Sequence, residues 1–227
     1  YTLMVFLISI LLGLSMGSGT VFSLQYGAGR MKALRRSIYV SAVLIGTVTI
    51  VLNIAALSFI HPILKLLQIP DDIYQMMYDY LWIIFWGIGF TFIYNFYAAL
   101  LRAIGNAVTP LYFLAISVVL NIGLDLFFIL LLDWGIKGAA IATIIAQGVS
   151  ALGIMGYTYA KCPELRLHRN DLHFDRHCLK EITSFSTLTC IQQSVMNLGI
   201  LMVQGLVNSF GSMVMAAFAA AIKIDSF

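Results

Sequence analysis

The sequence predicts an all-α, polytopic membrane helix bundle, and three observations carry that expectation. Hydrophobic residues make up 61 % of the 227 and charged residues only 10 %, with a mean hydropathy of +0.94, against roughly 45–50 % apolar and about 25 % charged in soluble domains. The apolar residues are gathered into runs of about 20, the length a helix needs to cross a bilayer. The bases are confined to alternate connecting loops, as successive crossings require. The net charge of +3 is therefore no sign of a nucleic-acid partner, and none is expected.

Taken in order, the first span covers Thr2 to Leu24. Ser9, Gly13, Met16 and Thr20 form a mostly small stripe along it, and Gly13-x-x-x-Gly17 lets another helix approach closely. Gln25 to Arg36 is a turn with two glycines and four bases, Arg30, Lys32, Arg35 and Arg36; nothing in it matches a phosphate-binding loop. The second span, Ser37 to Ile60, ends at His61-Pro62, and an interfacial stretch runs from there through Pro70-Asp-Asp72 to Asp79. The third span, Tyr80 to Leu101, carries Trp82 near its boundary as an interfacial anchor. In the turn that follows, Arg102 to Pro110, Gly105 and Asn106 end one helix and Pro110 opens the next.

The fourth and fifth spans, Leu111 to Leu132 and Gly138 to Tyr159, are joined only by Asp133-Trp-Gly-Ile-Lys137 and must be antiparallel neighbours. Ser117, Asn121 and Asp125 recur at spacing four and share one helix face, while Thr143, Gln147 and Ser150 share another. Those two faces are expected to meet. Counted back from the turn at about 1.5 Å per residue, Asp125 and Thr143 lie roughly 8–10 Å inside the same membrane face. An ionised Asp at mid-helix costs about 2.5–3.5 kcal/mol on insertion scales, so such residues normally face the bundle interior and mark an ion, proton or substrate path. The other reading is a packing cluster in which protonated Asp125 bonds to Asn121 or Thr143.

Beyond Tyr159 lies the longest polar segment, Lys161 to Glu181, with Cys162, His168, His173, His177 and Cys178. These spacings fit no common zinc pattern, and His173 and His177 fall where a helix on the membrane surface would present polar side chains. No transition-metal site is expected, and three cysteines, an odd number, suggest no disulfide framework. The sixth span, Ile182 to Phe210, carries Thr189, Gln193, Asn197, Gln204 and Asn208 on one stripe without a charge. Such a stripe suits the wall of a wet cavity or hydrogen bonding to neighbouring helices. A seventh span begins near Met213, with Lys223 and Asp225 inside it.

Ten bases then share one side, in loops 25–36, 102–110 and 161–181, with Lys65 and Lys137 opposite. The basic loops are expected to be cytoplasmic. Because the chain opens inside an apolar run and stops without a polar tail, it reads as an internal fragment. The spans show neither paired acids nor a nucleophile with its base, so no enzymatic activity is expected. A seven-helix receptor is disfavoured because the count of seven comes from where the chain stops.

Gly17-Ser-Gly-Thr20 with Gln25-Tyr-Gly-Ala-Gly29, then Leu101-Arg-Ala-Ile-Gly-Asn-Ala-Val-Thr-Pro110, then Asn121-x-x-x-Asp125 and Gly138-Ala-Ala-Ile-Ala-Thr143 resemble the multidrug and toxic compound extrusion (MATE) family. Val207-Asn-Ser-Phe-Gly211 and Ala216 to Asp225 are similar to its DinF-like branch. The resemblance implies an inner-membrane antiporter of two six-helix lobes, monomeric at full length and in contact with membrane lipids. It would export amphipathic or cationic compounds in exchange for H⁺ or Na⁺, with no further cofactor. On that resemblance residues 1–160 are the amino-terminal lobe lacking its first helix, 161–181 an inter-lobe linker and 182–227 the start of the carboxy-terminal lobe. It places the cation site, with Na⁺ as the candidate metal ion, on Asp125, Asn121, Thr143 and the main-chain carbonyl of Ala139. Gln193, Asn197, Gln204 and Met196 would line the substrate cavity, Met196 standing where some branches carry a glutamate. The alternative is a lipid-linked-sugar flippase of a related family, which a cavity lined with several Arg or Lys would favour.

Overall fold

The computed structural model describes residues 2–66, 71–167 and 176–209. They form seven α-helices: α1 (Thr2–Gly27), α2 (Met31–Ser58), α3 (Ile60–Leu66), α4 (Asp71–Ala103), α5 (Val108–Leu126), α6 (Gly135–Lys161) and α7 (Arg176–Ser209). A π-helical turn, Phe127–Leu131, continues α5, and a 3₁₀ turn, Pro163–Leu165, follows α6. The all-α bundle expected from composition is what forms. By length and apolar composition α2, residues 74–103 of α4, α5 with its π turn, and α6 can each cross a membrane; α1 is 26 residues long without a charge.

Helix α4 is the hub, packed against α1, α2 and α6. Its buried Phe85, Phe96, Leu100 and Leu101 meet Leu11 and Phe22 of α1, Leu34 and Ile45 of α2 and Ile154 of α6 in one core. Phe22 and Phe96 lie edge to face at 6.0 Å, the geometry that aromatic quadrupoles prefer. Long reversals set this topology. Gly29, at φ +70°, lets the Gly29 and Arg30 N–H groups turn back onto the carbonyls of Tyr26 and Gln25, closing the end of α1 as a left-handed residue does. Gly105, at φ +88°, does the same for α4, and the Asn106 side chain accepts the Thr109 N–H at the start of α5.

The glycines of α1 divide between two neighbours. A Cβ on Gly13 would lie 2.9 Å from the Cα of Cys190, and one on Gly17 would collide with the backbone of Ser186, so those positions seat α7 directly on α1. Gly19 faces Ala99 of α4 instead, while Met16 is exposed.

Three stretches take helical forms that the sequence did not specify. The stretch from Asp71 to Asp79, expected to lie at the interface ahead of the third span, is the first part of the 33-residue α4. The expected linker 161–181 is helical again from Arg176, so His177 sits in the first turn of α7 and not on a separate surface helix. The fourth span does not run as one α-helix, because five residues after Leu126 are π-wound. Pro70, His168, His173, Lys223 and Asp225 lie outside the described residues.

The turns α1–α2 and α4–α5, the end of α6 and the start of α7 fall at one end of the bundle, which is therefore its basic end. Arg35 reaches the carbonyl of Glu164 there, at 3.5 Å. At the opposite end Lys137 pairs with Asp79 at 2.8 Å.

Candidate functional site

The site is built on the α5–α6 hairpin. Asp133 at φ +53° and Gly135 at φ +52° reverse the chain, and the Trp134 N–H closes onto the Phe128 carbonyl. The Trp134 and Phe128 rings stack with centroids 5.2 Å apart and planes 2° from parallel. Gly138 sits under them, where a Cβ would come within 2.9 Å of that of Phe128. The hairpin is thus fixed in register by close packing at its tip.

That register brings the expected side chains together. The Asn121 amide donates to the Thr143 hydroxyl at 3.3 Å, and the Thr143 hydroxyl donates to the Ala139 carbonyl at 2.9 Å. Asn121, Thr143 and Ala139 form one linked set across two helices. Asp125 lies one turn further along α5, and its Oδ1 is buried with no hydrogen-bond partner among the described residues. The packing-cluster reading asked Asp125 to bond to Asn121 or Thr143; the bonds drawn instead join Asn121 to Thr143 and leave that carboxyl oxygen alone. A buried unsatisfied acceptor costs about 1–3 kcal/mol. The π turn begins two residues beyond Asp125; such turns are frequent at functional sites.

The second polar face divides. Ser150 does reach α5, donating to the Phe113 carbonyl at 2.6 Å. Gln147 does not face that helix: it accepts from Thr91 of α4 at 3.3 Å. Thr91 also accepts, through its carbonyl, from Asn95 at 2.8 Å, so a polar chain Asn95–Thr91–Gln147 runs beside the hairpin. Sequence reasoning missed Thr91, although its spacing of four from Asn95 on an otherwise apolar helix was a signal.

On α7 the expected cavity stripe is less gathered. Thr189 turns its hydroxyl back to the Phe185 carbonyl of its own helix, Gln193 is half-buried and Met196 is exposed. Asn197 and Gln204 lie on the helix, but their side chains lie outside those described.

A MatE family profile matches residues 1–127. This chain belongs to the MatE family. It is 32 % identical over 226 residues to the probable multidrug resistance protein YpnP of Bacillus subtilis, covering 99 % of the chain and 50 % of that protein. Solved structures of a multidrug resistance MATE family transporter of the MOP superfamily match its fold in both the outward-facing and inward-facing conformations. The TM-scores are 0.86 and 0.83 at 20 % and 21 % identity, each covering 99 % of this chain and 50 % or 51 % of the other. The chain thus spans about half the length of the MatE proteins it matches. With its apolar helices it is a multi-pass membrane protein.

Proposed function

We propose that this MatE chain is the coupling half of a secondary active efflux transporter, which exports amphipathic or cationic compounds in exchange for H⁺ or Na⁺. The observation that carries the reading is the buried Oδ1 of Asp125, without a partner among the described residues, beside the Asn121–Thr143–Ala139 set. With Asp125 ionised, the site takes up a proton directly. It can equally take Na⁺, because hard cations favour oxygen ligands and the carboxylate, the Thr143 hydroxyl and the Ala139 carbonyl supply them. Asn121 joins that set by turning its amide so that the oxygen replaces the N–H now given to Thr143. The ion therefore competes with a hydrogen bond, and its arrival changes how α5 and α6 are held.

Neutralising Asp125 shifts the population between inward- and outward-facing states by as much as the ion's affinity differs between them. Gln193, Asn197, Gln204 and Met196 are proposed to line the cargo path on the second lobe. The membrane is the cell's inner membrane, with loops 25–36, 102–110 and 161–181 in the cytoplasm, as the distribution of bases supports.

The test is Asp125→Asn in the full-length transporter, reconstituted in vesicles with an imposed H⁺ or Na⁺ gradient. Insertion and yield are expected to match the parent while gradient-driven dye efflux is lost. Efflux at the parental rate would make this pocket structural and send the search for the coupling acid elsewhere.

A further inference from the structure

We propose that the cavity where α1, α2 and α7 converge at the basic end binds a phosphodiester headgroup that also carries a hydrogen-bond donor, as phosphatidylethanolamine does. The cavity has a volume of about 260 Å³ and is lined by Gln25 and Leu24 of α1, Arg30 of the turn ahead of α2, Arg36 of α2, and His177 and Glu181 of α7. It lies at the end of the bundle, away from Asp125, and its assignment does not depend on the coupling mechanism.

The chemistry of the lining selects the ligand. The side chains of Arg30 and Arg36 make no hydrogen bond or ion pair within the described residues, so two guanidinium forks are open to a phosphate, the anion whose geometry they match. Among the described residues Gln25 presents a buried Oε1 with no partner, an acceptor whose lost hydration none of them replaces. Glu181 adds a carboxylate to the same wall. A bare anion would satisfy the guanidiniums and leave the buried Gln25 oxygen without a donor. A headgroup with phosphate at one end and ammonium at the other satisfies both sets. Leu24, which is 59 % exposed beside them, offers apolar surface to an acyl chain, which favours a lipid over free phosphate.

The local fold explains why these groups converge. The reversal at Gly29 brings the first turns of α2 back beside the last turn of α1, and the close seat of α7 at Gly17 carries Glu181 and His177 to the same level. Because α7 supplies one wall and α1 and α2 the other, a bound headgroup fastens the two sides together at this end.

The protein, purified in a phosphate-free non-ionic detergent, is titrated separately with short-chain phosphatidylethanolamine, short-chain phosphatidylcholine and inorganic phosphate. Binding is read by native mass spectrometry and by the shift in melting temperature. Phosphatidylethanolamine is expected to bind, and phosphatidylcholine, whose headgroup has no N–H or O–H donor, to bind about tenfold more weakly. R30Q/R36Q should weaken phosphatidylethanolamine binding tenfold or more, whereas K32Q/K161Q, which removes the same charge from the same end outside the cavity, should leave it unchanged. Saturation by inorganic phosphate at comparable concentration would keep the phosphate chemistry and overturn the lipid as its source. Equal loss in the two double variants, or no binding by any probe, would overturn the site.

Discussion

At the residue scale, Thr143 is the side chain whose two hydrogen bonds make the site a unit, since it accepts from Asn121 and donates to Ala139. Thr143→Ala removes one oxygen from the proposed ion site. At about 1–2 kcal/mol for such a loss, the apparent ion affinity should fall roughly tenfold while the maximal efflux rate stays within about threefold of the parent. Rates measured against Na⁺ concentration or pH distinguish this from a packing role, which would lower the maximal rate and leave the affinity alone. The cysteines behave differently from what their polar surroundings suggest. Cys162 and Cys178 fall in the polar segment, yet both are buried, and Cys178 lies 2.9 Å from the Ser37 hydroxyl. Burial, and then the Glu164 carboxylate nearby, push the Cys162 thiol above its ordinary pKa. A raised thiol pKa keeps the nucleophilic thiolate scarce at neutral pH. Maleimide should therefore modify Cys162 slowly at pH 7, faster as the pH rises, and readily once the protein is denatured; prompt labelling of the native protein at pH 7 would contradict its burial. The site itself was legible at this scale because Asn121, Asp125 and Thr143 follow from helical spacing and from depth below one turn. The direction of Gln147 was not, since it depends on how α4 packs against α6, which no single helix encodes.

At the element scale, the crossing of α1 over α7 depends on two missing side chains. Gly17→Leu would drive a side chain into the Ser186 backbone, where the contact cannot yield as the end of a flexible side chain would. Overpacking of this kind costs about 1–3 kcal/mol or more. The variant should insert but melt at a lower temperature, with the change concentrated in α1–α7 contacts, as disulfide trapping between cysteines placed on the two helices would report. Unchanged trapping and melting would show that the helices do not cross there. The Gly-x-x-x-Gly spacing made this close approach legible, although not its partner. Two other features were hidden for physical reasons. The run Phe127–Leu131 reads the same whether wound as α or π, because its side chains are apolar throughout. The start of α7 at Arg176 was concealed because His177, Cys178 and Lys180 look like loop composition, although Cys178 and Ile182 pack there against Val21 and Val40.

At the scale of the whole molecule, the alternation of bases made the topology legible, and it yields an orientation. A single cysteine at exposed Lys32, in a background without Cys162, Cys178 and Cys190, should react with a membrane-impermeant maleimide only from the cytoplasmic side. Reaction from outside intact cells would invert the assignment. The reading also divides the work between halves: the 227-residue chain expressed alone should insert without transporting dye, and efflux by it would refute the need for a second lobe.

The seat of α7 on α1 has a further consequence in time. Ser186 hydrogen-bonds to the carbonyl of Leu14 across 172 residues of chain, and Cys190 to that of Ile10 across 180. At roughly 5–20 residues per second of synthesis, the glycine face of α1 waits on the order of ten to thirty seconds for its partner to leave the ribosome. Throughout that interval a surface built for close helix contact stands open in the membrane to any other small-residue helix. The hazard to this protein is then greatest during its birth, and a delay between α6 and α7 should raise misassembly far more than an equal delay placed after α7.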